Sequence, residues 1–157
     1  MTRKEFTCIV VRRKSGEYLF CFRTKKPWYG LYNFVGGKKE PNEFLIDCAV
    51  RELYEETGIV VNEKDIDIQP LFKLEMDHPD GENFPDDNTL IGFYGITPVR
   101  DDIELVEEIN PLLWLSKEYI LNNEEKFAGE GWIKMAILYY ERLLERGLFG
   151  EEQKTTS

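Results

Sequence analysis

An α/β or α+β sandwich built on a mixed sheet is the fold class this sequence predicts. Three observations carry it: strand-like segments rich in β-branched and aromatic residues on both sides of the chain's centre, one helical stripe over 43–57, and a second over 132–146. Strands before and after a central helix, with a helix to finish, call for helices packed on the faces of a sheet.

Residues 6–12 and 17–23 are separated by a short linker ending in Lys14, Ser15 and Gly16, which predicts two adjacent strands and a hairpin turn. Residues 24–33 mix Pro and Gly with aromatics and lead to a short apolar piece, Phe34 and Val35, ending at Gly36 and Gly37. That reads as a loop, a brief strand and a tight turn. Between 43 and 57, Leu45, Ile46, Ala49, Val50 and Leu53 recur at spacings of three and four, the mark of one buried helical face. Gly58 stands where a C-terminal cap is needed. Ile59 to Val61, 70–76 and 88–99 predict further strands, the last two joined by an acidic loop from Asp77 to Asp87. Ser116 caps a short helix through Leu121, and 132–146 forms an amphipathic helix ending before Gly147. In that helix Ile133, Ala136, Ile137, Tyr140 and Leu144 form a core stripe, and Trp114 is a further core contact. Residues 1–150 are expected to form a single domain and 151–157 a flexible tail.

With 42% hydrophobic and 32% charged residues, the composition is that of a globular chain and not a disordered one. The formal charge of −10 argues against general binding to a nucleic-acid backbone, which needs clustered Lys and Arg. It does not argue against phosphorylated small molecules, because a divalent cation held by carboxylates presents positive charge to a phosphate. Cys8, Cys21 and Cys48 form no Cys-x-x-Cys pair and are odd in number, which suits a reducing cytoplasm. No apolar run has the length of a membrane span, so neither export nor membrane insertion is expected, and the protein is expected to be a monomer or homodimer.

Glu52, Glu55 and Glu56 fall within an arc of roughly 100° on the central helix, beside its apolar stripe. Like charges at that spacing repel by a few tenths of a kcal/mol per pair. Three carboxylates aimed at one rim suit a hard divalent cation such as Mg²⁺, which would relieve the repulsion, whereas a solvated acidic face is the plainer reading of the three alone.

Their fixed relation to Gly37, Glu43, Arg51, Leu53, Gly58 and Ile59 shifts the balance. The set resembles the Nudix box, with Gly37, five residues, Glu43, seven residues, then Arg51 and Glu52 through Ile59, and no position departs. A chance match is on the order of one in ten million. Val35 stands where many members similar to the MutT subgroup carry Pro, which leaves the subgroup open.

The resemblance implies a Nudix-type α/β/α sandwich with a central mixed sheet. It also implies Mg²⁺ (Mn²⁺ possible) as cofactor, with Glu52, Glu55, Glu56 and the Gly37 carbonyl as ligands. Glu43 and Arg51 would form a structural salt bridge that aims the glutamates. The implied reaction is water attack on a nucleoside diphosphate linked to another group, with Glu52 or Glu55 as the catalytic base, or a late-loop glutamate, Glu107 or Glu108.

Arg23 and Lys38 are candidate phosphate contacts, Asn33 a candidate reader of a base edge, and Trp28, Tyr32 and Phe34 candidate stacking partners. Each has a plainer reading as a surface, turn or core residue. His78 has no identifiable partner and no expected catalytic role. Markers of the ADP-ribose and dinucleoside polyphosphate subgroups are lacking, so a nucleotide triphosphate is the expected substrate. ADP-ribose or a nucleotide sugar is the alternative, and a non-catalytic nucleotide-binding module the alternative of another class.

Overall fold

The computed structural model describes residues 3–26, 28–62, 65–76 and 88–149. The expected acidic loop, His78 and the tail therefore lie outside the described residues. Six strands, β1 (Lys4–Val10), β2 (Tyr18–Phe22), β3 (Tyr32–Asn33), β4 (Ile68–Met76), β5 (Thr89–Ile96) and β6 (Leu112–Leu115), accompany three helices, α1 (Leu45–Thr57), α2 (Lys117–Asn122) and α3 (Trp132–Glu145). One sheet has the order β1-β5-β4, with β1 and β5 parallel and β4 antiparallel to β5, and the other is antiparallel with the order β3-β2-β6.

The expected hairpin between the first two strands exists only at its base. Arg13 N–H donates to Glu17 C=O (2.9 Å) and Leu19 N–H to Val11 C=O (2.8 Å), after which the strands part into different sheets. This splay makes the two sheets one central layer. Alternation then sorts the side chains: Cys8, Val10, Tyr18, Phe20, Ile91 and Phe93 face one core cluster, and Ile9, Val11, Leu19, Cys21, Tyr94 and Ile96 face the other. Helix α3 covers the first cluster with Ile133, Ala136, Ile137 and Tyr140, and α1 covers the second with Ala49 and Leu53. The result is the expected α/β/α sandwich with mixed pairing.

Tyr140 shows how α3 is held. Gly95 on β5 has no side chain, and a Cβ there would meet the Tyr140 ring at 2.6 Å, so the ring lies directly on the strand. The buried Tyr140 hydroxyl donates to Ile96 C=O at 2.6 Å. Tyr140→Phe removes that bond while keeping the ring, and is expected to lower stability by about 1–2 kcal/mol. A urea titration will show this as a lower midpoint at unchanged slope.

Several boundaries differ from the expectation. The brief strand is Tyr32–Asn33, immediately before the expected Phe34 and Val35, although Val35 makes an isolated bridge to Ile9 on the open edge of β1. Ile59 to Val61 is no strand. Ile59 and Val61 are buried from an irregular segment that turns at Asn62, whose N–H donates to Ile66 C=O (2.7 Å). Helix α1 starts at Leu45, so Glu43 lies outside it, and Ile46 is exposed at 39% and not buried as expected. Its end is as expected: Gly58 adopts φ 82° and donates to Tyr54 C=O at 2.9 Å. Among the described residues no helix is long and apolar enough to cross a membrane.

Candidate active site

The two-glycine turn before α1 is fastened on both sides. On the β1 side, Thr7 N–H donates to Gly37 C=O (2.8 Å), while the buried Thr7 hydroxyl accepts from Gly37 N–H (3.2 Å) and donates to the same carbonyl (3.3 Å). On the α1 side, Gly36 N–H donates to Glu56 Oε2 at 2.7 Å. Both glycines are required by contact: a Cβ on Gly36 would overlap the Thr7 carbonyl, and one on Gly37 would occupy the space of the Glu52 carboxylate. Glu52 is thus seated against this turn because Gly37 lacks a side chain, and Glu56 by the bond it accepts from the Gly36 N–H.

The Gly37 carbonyl, an expected ligand, has protein partners in this structure. The Gly37 carbonyl is turned into β1, where both Thr7 donors reach it, so its lone pairs are engaged in strand pairing.

Arg51 organises the carboxylates. Its guanidinium donates in a fork to Glu43, with Nη2 at 2.6 Å from Oε1 and Nε at 3.1 Å from Oε2, and Nη2 also reaches Lys38 C=O at 3.2 Å. Nη1 donates to Glu52 (2.7 Å) and Glu55 (3.2 Å). One planar cation therefore ties the loop before α1 to the helix, as a bidentate pair does well. These bonds, with the Glu40 N–H donated to Glu43 Oε1 (3.0 Å), hold the Glu43 carboxyl down to about 2. Its folded pKa lies below the ordinary 4.5, so its contribution to stability is present above 4.5 and lost as pH falls toward 2. Urea midpoints measured at pH 5 and pH 3 should accordingly fall further in the parent than in Glu43→Gln.

The three helix glutamates occupy three environments. Glu55 is exposed on the Arg51 side, Glu52 is half-buried against Gly37, and Glu56 is 4% exposed. Burial raises Glu52, opposed by Arg51, and pushes Glu56 up to about 7, opposed by the Gly36 N–H. Among the described residues no three acidic, Cys or His side chains stand together as a ready ligand set. Arg51 draws Glu52 and Glu55 toward itself, and the Gly36 N–H turns Glu56 toward the turn. The donors nonetheless suit a hard divalent cation, being carboxylate oxygens within one helical turn, with the Gly37 position kept clear for one of them.

Beside the turn opens a cleft of about 190 Å³ whose walls include Arg23, Trp28, Asn33, Phe34 and Lys38, so five of the six candidate substrate contacts share one opening. Asn33 Oδ1 accepts from Phe34 N–H at 2.8 Å, leaving the Asn33 amide N–H₂ for other partners. Phe34 stacks on Phe20 with centroids 5.1 Å apart, which makes it core as well as wall. Tyr32 packs between Phe22 and Phe127 and lines no part of the cleft. Cys8 and Cys21 also reach the wall, and burial holds both thiols protonated, pushing Cys21 up to about 12. A larger groove of about 450 Å³ along α3 contains none of the motif residues, whereas the smaller cleft has Gly36 and Gly37 in its wall and so lies beside the turn that Glu52 and Glu56 contact.

Trp132 is a wall residue that the sequence did not suggest. It opens α3, one step ahead of the core stripe, and its ring meets Trp28 edge to face at 5.3 Å. The residue type at a helix start following Gly129 and Gly131 is the only signal that could have found it. Glu108 is exposed on the loop after β5 and is not part of the cleft, while Glu107 Oε2 accepts from Leu112 N–H at 3.0 Å. That loop crosses the end of α1 through Val106 N–H, which donates to Thr57 C=O (3.0 Å).

A family profile described as NUDIX domain matches residues 1–134. The chain is 27% identical over 135 residues to the NAD-capped RNA hydrolase NPY1 of Saccharomyces cerevisiae, covering 81% of this chain and 32% of the yeast protein. It is 36% identical over 56 residues to the NAD-capped RNA hydrolase NudC of Vibrio parahaemolyticus, covering 36% of this chain and 22% of that protein. The chain thus spans about a third or less of the length of these relatives. Among solved structures, the NUDIX domain of Shewanella oneidensis NrtR complexed with ADP ribose superposes with TM-score 0.69 at 16% identity, covering 91% of this chain and 90% of that one. The MutT protein of Methanosarcina mazei Go1 gives 0.63 at 22% identity, covering 92% and 95%. At these identities the likeness is one of fold.

Proposed function

The chain belongs to the NUDIX domain family, and from that premise we propose that it hydrolyses a diphosphate linkage in a nucleoside diphosphate joined to a further group. The observation that carries the reading is the seating of Glu52 and Glu56 on the Gly36–Gly37 turn, at the side of a cleft that also presents Arg23 and Lys38. When bound, a divalent cation, Mg²⁺ or Mn²⁺, supplies charge neutralisation at the diphosphate oxygens and makes an attacking water more acidic. Glu52, Glu55 and Glu56 would hold it.

In the reaction a P–O bond forms from water, the P–O bond to the bridging oxygen breaks, and the water's proton passes to a carboxylate. Glu55 or Glu52 takes that proton, Glu55 with free access to solvent and Glu52 from its half-buried seat. Arg23 and Lys38 meet phosphate oxygens, Arg23 through a planar fork and Lys38 as a point charge. Trp28 and Trp132 offer faces and edges to a base, and the Asn33 amide offers donors to its rim. Arg51 and Glu43 keep the helix and the preceding loop in register, and Gly58 closes α1 so that the late loop can cross it.

A nucleoside or deoxynucleoside triphosphate, giving monophosphate and pyrophosphate, is the leading substrate. The ligand of the NrtR domain makes ADP-ribose the natural rival. A panel of triphosphates, ADP-ribose and nucleotide sugars at fixed Mg²⁺, with products identified, decides between them. Turnover of ADP-ribose with none of any triphosphate would replace the leading substrate. Three free, buried thiols support a reducing, cytoplasmic setting.

A further inference from the structure

Strand β4 is the outer strand of its sheet: it pairs with β5 along one side, and among the described residues no strand pairs with the other. The register assigns the backbone groups on that open side. Lys4 N–H donates to Asn88 C=O (3.2 Å), so Asn88, Leu90 and Gly92 turn their backbone groups toward β1. Thr89, Ile91 and Phe93 turn theirs toward β4, where Met76, Leu74 and Phe72 stand opposite. The N–H and C=O groups of Lys73 and Glu75 therefore point outward from the edge. Such a row is a template for another strand.

The two faces of this edge differ. Phe72, Leu74 and Met76 are half-buried and pack into the cluster that α3 covers, while Lys73 and Glu75 alternate with them and are exposed. Glu75 also pairs with the exposed Arg3 at 3.4 Å. On the α3 face, beside β4, runs the groove of about 450 Å³ that holds Met135, Leu138 and Tyr139, with Lys134 and Arg142 also in its lining. Its position is fixed by Tyr139, which meets Phe72 edge to face at 5.9 Å. Met135, Leu138 and Tyr139 are each 43–45% exposed, a stripe of apolar surface flanking the open strand.

We propose that a second copy of the chain occupies this edge, with β4 paired antiparallel to its equivalent about a twofold axis at Leu74. Charge selects that register. With Leu74 opposite its own copy, Lys73 of each chain faces Glu75 of the other, and the outward backbone groups of these residues meet as hydrogen-bonded pairs. Moving one pair in either direction sets Lys73 against Lys73 or Glu75 against Glu75, and a slip of a single residue leaves the outward groups unmatched. The order Lys73-Leu74-Glu75 is thus complementary to itself when read in the opposite sense, which fits a copy of this chain as the partner. The axis stands perpendicular to the sheet, so both α3 helices lie on one face and their apolar stripes turn toward each other. A stable interface takes about 800 Å² per partner, and these stripes add apolar area that the short ladder lacks. The inference is independent of the hydrolytic reading, and of monomer and homodimer it selects the homodimer.

Sedimentation at concentrations from low micromolar to submillimolar tests it on the parent, Lys73→Glu, Glu75→Lys and the Lys73→Glu/Glu75→Lys exchange. The parent is expected to dimerise, each single reversal to weaken the dimer about tenfold, and the exchange to restore it. An equimolar mixture of the two single variants should form a heterodimer tighter than either homodimer, because each then faces its opposite charge. A parent that stays monomeric overturns the proposal, as does a dimer that neither reversal weakens, an exchange that fails to restore association, or a mixture no tighter than its components. Amide hydrogen exchange needs no variant: the Lys73 and Glu75 N–H groups should be protected at high concentration and exposed on dilution. Exchange at those two amides that is independent of concentration would equally overturn it.

Discussion

Glu55→Gln is expected to lower kcat by about 10²–10⁴-fold while leaving the fold and its stability essentially intact. The side chain is 45% exposed and pairs with Arg51 at 3.2 Å, an i,i+4 helix-surface contact worth about 0.3–0.5 kcal/mol. Almost nothing structural is lost, so a fall in rate would belong to the chemistry. Glu56→Gln is the natural companion, because a Gln carbonyl can still accept the Gly36 N–H that Glu56 Oε2 now accepts at 2.7 Å. Single-turnover rates on the best substrate of the panel, set beside urea midpoints, separate the two effects. Parent-like rates in both variants would defeat the hydrolytic assignment, and so would a parent without turnover whose nucleotide binding survives in both variants, which is the signature of a binding module.

Phe93→Ala should be the most damaging change to the core, costing about 3–5 kcal/mol. Phe93 lies at 1% exposure on β5, the strand that pairs with both β1 and β4. Its ring stacks on Phe72 at 4.5 Å and meets Trp132 edge to face at 6.0 Å. Removing it opens a cavity between the sheet and α3, where the neighbours are ring systems that cannot collapse easily. A domain of this size has about 5–15 kcal/mol of stability in all, so the variant should unfold at a much lower urea midpoint. A stability within about 1 kcal/mol of the parent would show that the aromatic cluster repacks.

The helix carrying the carboxylates was readable from the chain because its apolar period, its glycine cap and the spacing of charged residues all agreed. Strand β6 was not, since Leu112–Leu115 is four apolar residues, each only half-buried, with no alternation to mark it. Ile59 to Val61 misled for the opposite reason: β-branched residues were present, but burial came from an irregular segment with no strand to pair with. In the site, the residue types were legible and their orientations were not. No sequence pattern says that the Gly37 carbonyl faces Thr7, or that a tryptophan opening a helix turns into a cleft. Net charge says little about the cleft itself, because a total of −10 averages over the window from 23 to 39, which contains no carboxylate at all.

The commitments of the two-glycine turn also fix how a phosphate can be met here. Glycine pairs before helices often serve as anion nests, offering their backbone N–H groups to phosphate oxygens. In this protein both N–H groups are already spent inside the fold, Gly36 on Glu56 and Gly37 on the Thr7 hydroxyl. The turn is therefore a seat for carboxylates and not a cradle for anions. On the proposed reading, recognition of a diphosphate would fall to side-chain cations and a divalent ion held by the carboxylates, so affinity should respond to charge substitutions around the cleft far more than to the backbone of the turn.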